Sequence, residues 1–280
     1  MPSGSPPQLP DVSIVMPAYN AERTIAAAIT SVLAQSFRNW ELIVVDDGSL
    51  DATALLVREA ARTDGRIVLI NACKNSGRPS IPRNAALKRA RGQYIAFLDA
   101  DDVWHADKLQ RQLAFMSEMG CPFSCTGFGV IDEDNRQVGG LIPPSIARYQ
   151  DLLRSNTIGC LTVMYDTRII GVRQFPDCGH EDYALWLEIL REGNTAMGLQ
   201  EPLALYRLGR SRISSKKLHL FPFFWHIYRI REGFSTLISL LLCVRYAAFN
   251  FRKYKHAAGK IMKSSYKPVV KQRDDLGCLY

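Results

Sequence analysis

From Val12 to Met119 the apolar positions switch repeatedly between two spacings. Short uninterrupted apolar runs at Val12–Met16, Trp40–Val45, Ile67–Asn71 and Tyr94–Leu98 show no polar alternation, the pattern of strands buried on both faces. Between them the apolar residues fall three and four apart: Ile25, Ile29, Val32 and Leu33 after Asn20, then Thr53–Arg62, then a segment running to Arg91 and stopped by Gly92. Pro82 is the expected first helical residue of that last segment. Strand and helix alternating in this way predict an α/β fold, a three-layer, mostly parallel sheet with right-handed crossovers. After Gly120 the alternation weakens. The pattern predicts a hairpin around Asp132–Asn135, a loop over Gly139–Pro144, an apolar stretch at Cys160–Tyr165 and a strand at Leu203–Leu208. His180-Glu181-Asp182-Tyr183 leads into a helix with Leu185, Trp186, Ile189 and Leu190 on one face and Gly193 as its stop.

Composition narrows this picture. With 280 residues, 47% of them hydrophobic, the chain can bury one substantial core and carry an extension, and global disorder is excluded. Residues 1–10 are rich in Pro and Ser, with neither a basic start nor an apolar stretch, and are expected to form a loose tail, not a signal peptide. Seven cysteines, an odd number spread from Cys73 to Cys278, fit reduced thiols of a cytosolic catalytic part better than a disulfide framework. Cys121 and Cys125, or Cys178 near His180, have no Cys-x-x-Cys pair to complete a zinc site.

The net charge of +8 is misleading as an average. Lys216–Arg273 holds thirteen Lys or Arg against Glu232, and subtracting that surplus of twelve leaves −4 for the remainder. Within the basic segment, Phe221–Tyr228 is crowded with aromatics, Gly233–Phe251 is largely apolar apart from Arg245, and Arg252-Lys253-Tyr254-Lys255 follows. Residues 216–280 are therefore expected to form a basic, apolar helical extension that associates with an anionic membrane surface. Three arrangements remain open: packed on the core, lying in the membrane plane, or spanning it. Nucleic acid is disfavoured as a partner, because the apolar stretch serves no phosphate backbone.

Candidate chemistry gathers where the predicted strands end. After Tyr94–Leu98 come Asp99, Asp101 and Asp102, at the carboxyl end where open α/β sheets hold ligands. In an extended turn Asp99 and Asp101 project to one side and Asp102 to the other, so two carboxylates can share Mg²⁺ or Mn²⁺ with a diphosphate as co-ligand. The competing reading is that Asp101 or Asp102 caps a helix beginning near His105. Arg207, Arg210 and Arg212 surround a turn and would suit a phosphate if they converge on the acids. No Gly-x-Gly-x-x-Gly follows the first strand, which disfavours the usual dinucleotide fold.

The ordered set Val-Ser-Ile-Val-Met-Pro-Ala-Tyr-Asn, Val-Val-Asp-Asp-Gly-Ser-Leu-Asp, Asn-Ser-Gly-Arg-Pro-Ser-Ile-Pro-Arg-Asn, Leu-Asp-Ala-Asp-Asp and Glu-Asp-Tyr resembles glycosyltransferase family 2 over Val12–Ser214. The resemblance implies a GT-A, Rossmann-like glycosyltransferase domain over residues 11–215, acting as an inverting, metal-dependent hexosyltransferase on UDP-, GDP- or dTDP-linked sugars. It places Pro17, Tyr19 and Glu22 in the nucleotide-binding first loop and Asp47 near the base. Arg83 and Asn84 fall on the helix that closes over the donor, Asp99 and Asp101 in the metal and diphosphate motif, and Asp182 at the catalytic base. Pro82 stands where the family often has Ala, and Ala86 where it often has Gly. The Gln-x-x-Arg-Trp signature of processive synthases is absent, so transfer of one sugar is expected. A carboxylate well separated from the metal acids must take the acceptor proton; Asp182 is favoured over Glu181. With the basic extension, the expected acceptor is a lipid-linked glycan of cell-surface polysaccharide synthesis, at the cytoplasmic face of the membrane. The alternatives are a sugar nucleotidyltransferase, against which the missing glycine-rich triphosphate loop speaks, and an inactive nucleotide-sugar-binding membrane protein.

Overall fold

The computed structural model describes residues 9–208 and 221–257. The first half alternates as its spacing predicts: β1 (Val12–Ala18), α1 (Ile25–Leu33), β2 (Trp40–Asp46), α2 (Thr53–Thr63), β3 (Ile67–Asn71), α3 (Ser80–Leu87) and β4 (Tyr94–Phe97). Then follow β5 (Val103–Trp104), α4 (Lys108–Met119), β6 (Phe123–Ile131), β7 (Gln137–Leu141), β8 (Ile146–Ala147), α5 (Tyr149–Leu152), β9 (Met164–Asp166), α6 (Thr167–Ile170), α7 (Glu181–Arg191) and β10 (Ala196–Arg207). After the undescribed stretch come α8 (Phe221–His226), a wide helical turn at Ile227–Arg231, and α9 (Thr236–Ala257).

The strands form one sheet in the order β3-β2-β1-β4-β9-β6-β10-β5, with β7 on β6 and β8 on β10. β1 lies between β2 and β4, parallel to both, with Val12 facing Trp40 on one side and Tyr94 on the other. The chain runs outward from β1 to β3 and returns to β4, so β1 and β4 flank the reversal of strand order where α/β sheets leave a crevice. Beyond β4 the pairing turns antiparallel through β9 and is parallel again only between β6 and β10.

Each buried strand feeds two cores, one on each face. Ile14, Met16, Leu42 and Val44 pack under α1, α2 and α4, while Val15, Ile43, Ile95 and Phe97 pack under α3 and α7. Opposite the crevice a polar clamp joins three chain segments. The Ser13 hydroxyl donates to the buried Glu41 carboxylate at 2.7 Å, the Arg91 amide and guanidinium both donate to Glu41 at 2.8 Å, and the Gly92 amide donates to Ser13 Oγ at 2.8 Å. A Cβ at Gly92 would come within 2.5 Å of the Ser13 amide nitrogen, so glycine is required there.

Several expectations are corrected. α3 starts at Ser80 and ends at Leu87, so Pro82 sits inside its first turn, where the missing N–H costs no helical bond. The helix expected near His105 starts at Lys108, because Val103 and Trp104 pair with Leu205 and Ala204 as β5. The hairpin at Asp132–Asn135 forms, between β6 and β7. α7 is buried on more than the one expected face, with Tyr183, Ala184 and Leu187 also covered. Their cover includes the extension. Phe224, Ile227 and Tyr228 belong to the same core cluster as Tyr183 and Trp186, and the Tyr228 hydroxyl lies 2.9 Å from that of Tyr183. The core cluster thus includes described residues beyond 220. Among the described residues no helix is long and apolar enough to cross a membrane.

Candidate active site

The carboxyl ends of β1, β2 and β4, the loop before α3 and the start of α7 surround one open cleft of about 1310 Å³. Pro17 and Tyr19 line it from the end of β1, Asp47 from the end of β2, Arg83 from α3, and Asp99, Asp101 and Asp102 from the end of β4. His180, Glu181 and Asp182 line it from α7, and Phe128, Val130, Tyr206 and Leu208 from the second half of the sheet.

Local hydrogen bonds explain the nucleotide side. Asn20, at φ 47°, donates its amide to Ser49 Oγ and accepts the Leu50 amide on its side-chain oxygen, both at 2.9 Å, which ties the loop after β1 to the loop after β2. Asp47 is nearly buried and accepts from the Ser76 amide at 3.0 Å and the Ser76 hydroxyl at 2.7 Å, so the β3–α3 loop folds over it. Gly48, at φ 73°, makes that approach possible: a Cβ would meet the Asn75 amide nitrogen at 2.7 Å.

Two of the predicted residues are not among those lining the cleft and hold neighbouring segments. Glu22 is not on the cleft wall; its carboxylate accepts the Ala52 amide at 3.2 Å and holds the start of α2. Asn84 projects from the far side of α3, donating to the Phe175 carbonyl at 2.8 Å and accepting its amide at 2.7 Å. It thereby fastens the segment leading to α7. Arg83 faces the cleft, whereas the side chain of Asn84, the next residue along the helix, is taken up by the Phe175 backbone.

Arg83 is the hub. Its guanidinium donates to Asp99 at 2.6 Å and to Glu181 at 2.5 Å, and lies 5.2 Å from the Phe175 ring centre. Burial opposes its charge, yet Asp99 and Glu181 outweigh that and hold it firmly cationic. Burial likewise pushes the Glu181 carboxyl up against the pull of Arg83, with Asp182 pushing the same way. Asp182 is half-buried and accepts the Tyr183 amide at 2.7 Å on one oxygen. His180, just before it, is in the left-handed region at φ 56° and starts the helix.

The acids after β4 gather more closely than an extended turn allows. One carboxylate oxygen from each of Asp99, Asp101 and Asp102 lies within 4.8 Å of the others. The Asp102 amide donates to the Asp99 carbonyl at 3.1 Å, closing a tight turn, so the expectation that Asp102 points away is corrected. Asp102 is 1% exposed and also accepts the Arg207 amide at 2.9 Å. Three hard oxygen donors at this spacing fit Mg²⁺ or Mn²⁺ with room for phosphate oxygens. Arg207 holds the carbonyl of Asp101 at 3.0 Å; Arg210 and Arg212 lie outside the described residues. That Asp102 is held in place by Arg207 had no local signal, because the two stand 105 residues apart.

This sheet order, with acids at the crevice and a second acidic pair on a facing helix, defines a GT-A glycosyltransferase. The chain belongs to glycosyltransferase family 2: the profile described as "Glycosyl transferase family 2" matches residues 13–177. It is similar to a putative teichuronic acid biosynthesis glycosyltransferase of Bacillus subtilis, 41% identical over 240 residues, covering 85% of this chain and 95% of that one. It is also 44% identical over 207 residues to the UDP-Glc:alpha-D-GlcNAc-diphosphoundecaprenol beta-1,3-glucosyltransferase of Escherichia coli, covering 74% and 80% of the two chains. Among solved structures, the mannosyltransferase of Pyrobaculum calidifontis, in complex with GDP-Man and Mn2+, superposes with a TM-score of 0.63 at 16% identity, over 90% of this chain and 79% of that one. That likeness supports the fold.

Proposed function

We propose that this glycosyltransferase moves one hexose from a nucleoside-diphosphate donor to a hydroxyl of a lipid-linked glycan, with inversion, at the cytoplasmic face of the membrane. The observation that carries the reading is the single cleft in which the acids after β4 and the acid of α7 face each other, joined through Arg83. Asp99, Asp101 and Asp102 would hold Mg²⁺ or Mn²⁺. When bound there, the ion supplies neutralising charge to the leaving diphosphate. Arg83 adds a fixed cation on the same side, which favours departure of an anion. Tyr19 and Asp47, on the wall beyond β1 and β2, are the residues for the nucleoside.

Asp182 takes the acceptor proton. Glu181 is committed to Arg83, whereas Asp182 reaches the cleft with one oxygen held by an amide, which leaves the other for an incoming hydroxyl. Attack from the side opposite the leaving group inverts the anomeric carbon. The lipid-linked acceptor is supported by the name of the Escherichia coli relative, which acts on a diphosphoundecaprenol-linked sugar. The test incubates the full chain with UDP-, GDP- and dTDP-hexoses, a polyprenyl-diphosphate-linked sugar and Mn²⁺, and resolves the product linkage by NMR. One donor should give a single-sugar product of inverted configuration, abolished by chelation. Retained configuration, or full activity in chelator, would overturn the mechanism.

A further inference from the structure

α9 has two apolar sides. Ser239 and Cys243 are buried, and Leu242 and Tyr246 pack against the core that holds Tyr183 and Trp186. Two residues before each of these positions, and so on roughly the opposite side of the helix, stand Leu237, Leu240, Leu241 and Val244, with Ile238 beside them. These are exposed, Leu237 by 67%, Leu241 by 60% and Val244 by 59%. A packed helix that also presents a continuous apolar stripe outward has a second surface to satisfy.

The charge around the stripe says what that surface is. Arg245 is exposed next to Val244, and the same helix continues through Arg252, Lys253 and Lys255. Glu232, the one acid between Lys216 and Arg273, is turned inward: its side chain is 3% exposed, accepts the Tyr149 hydroxyl at 2.6 Å and pairs with Arg191 at 3.2 Å. The one acid of that segment is thereby paired and turned away from solvent. No described helix is apolar enough to span, which leaves the plane of the interface.

We propose that the outer stripe of α9, with the basic residues that follow it, is the seat by which the enzyme lies on an anionic lipid bilayer. The inference rests on the lipid-linked acceptor reading and specifies where the membrane stands relative to the cleft. α8 packs against the residues that lead into α7. The Phe224 ring stacks on His180 at 5.0 Å and Phe223 meets it edge-on at 5.9 Å. A Cβ on Gly179 would overlap the Phe223 ring. The residues just before Glu181 and Asp182 thus rest on the helix that precedes the seat. An acceptor whose lipid chain stays in the bilayer presents its sugar to a cleft whose α7 wall is braced by the membrane-bound pair of helices.

The test is co-sedimentation of the full chain with vesicles of phosphatidylglycerol and phosphatidylcholine, or of phosphatidylcholine alone, at low and high salt. Leu237→Glu with Leu241→Glu should lower binding by at least about tenfold, because two charges replace apolar side chains that would enter the bilayer, with melting temperature and donor hydrolysis unchanged. Leu241→Ser should give a smaller loss in the same direction. Arg245→Gln should weaken binding only to the anionic vesicles and only at low salt. Wild-type binding by the double variant would overturn the seat. So would a wild-type dimer in sedimentation velocity that the same double variant dissolves, because a second copy then covers the stripe. The two readings fail separately: transfer to a soluble acceptor analogue without vesicle binding removes the seat alone, and vesicle binding with no nucleotide-sugar turnover supports the seat and removes the catalytic reading.

Discussion

In the half of the sheet built from β1 to β4, single strand–helix units deliver β2 beside β1 and β3 beside β2, the next brings β4 back to the other edge of β1, and every pairing among these four is parallel. In the half built from β6, β9 and β10, partners arrive from distant parts of the chain with mixed sense, and the helices covering them include α8 and α9 from beyond residue 220. The first half offers prefabricated crevice walls. The second supplies a facing acid whose position depends on the whole C-terminal part being in place. Arg83 bonds to a carboxylate of each, so the seam between the halves is where the chemistry gathers.

The largest effect should come from removing the second half's last cover. A chain ending at Ser215 strips Phe224, Ile227 and Tyr228 from Tyr183 and Trp186. Burial at roughly 1.5–3 kcal/mol per side chain makes that loss comparable with the whole stability of a domain. Loss of a cooperative thermal transition, followed by near-UV circular dichroism, is expected. A normal transition would show that the second half closes without its extension.

Next come the two acids of α7. Asp182→Asn should lower turnover by about 10² to 10⁴, the worth of a positioned base, with donor affinity kept. Glu181→Gln should instead act through Arg83, raising the KM for donor more than it lowers kcat. If the two variants exchange these phenotypes, the base is Glu181. On the other side of the seam, Asp101→Ala should remove the Mn²⁺ dependence of donor binding in calorimetry and lower turnover by roughly 10² to 10³, several kcal/mol of charge stabilisation. Its melting temperature should stay near wild type, because Asp101 is half-buried at a strand end.

The smallest effect concerns a lysine enclosed between α4 and the mixed strands. Lys108 is fully buried, donates to Gln112 at 2.7 Å and lies 4.1 Å over the Trp104 ring. Burial pulls its pKa from 10.5 down to about 7. Between those values the unfolded chain binds more protons than the folded one, so this group makes stability rise with pH across that window. Its penalty is present in full below pH 7. Lys108→Met should flatten the slope by up to about 1.4 kcal/mol per pH unit, read from urea midpoints at pH 7 and pH 9. An unchanged slope would mean that the ammonium keeps its proton inside the fold.

How legible each half was in the sequence follows from the same contrast. β1 to β4 match the apolar runs within a residue or two, because strands buried on both faces leave uninterrupted apolar runs. β5 left no signal: it has two residues and takes its meaning from β10. The acids were visible as types at a strand end. That Asp102 joins the cluster was not, because a turn bond to Asp99 breaks the alternation that extended chain would impose. The resemblance places Asn84 with Arg83 on the helix that closes over the donor; that its side chain bonds the Phe175 backbone, 91 residues distant, had no local signal. The aromatics from Phe221 to Tyr228 look like an interface for the same reason that they look like a core, and only packing against Tyr183 separates the two.

The clamp of Ser13, Glu41, Arg91 and Gly92 has a consequence in time. Its bonds close separations of 28, 50 and 79 residues, and until Arg91 and Gly92 arrive the Glu41 carboxylate has only Ser13 to accompany it into the interior. A buried charge so poorly compensated costs several kcal/mol. During synthesis, then, α1 and α2 can form as they emerge, but pairing β1 with β2 carries that cost until Arg91 and Gly92 have cleared the ribosome. The half that divides most cleanly into repeating units on paper thus gains from being completed by β4, its last strand.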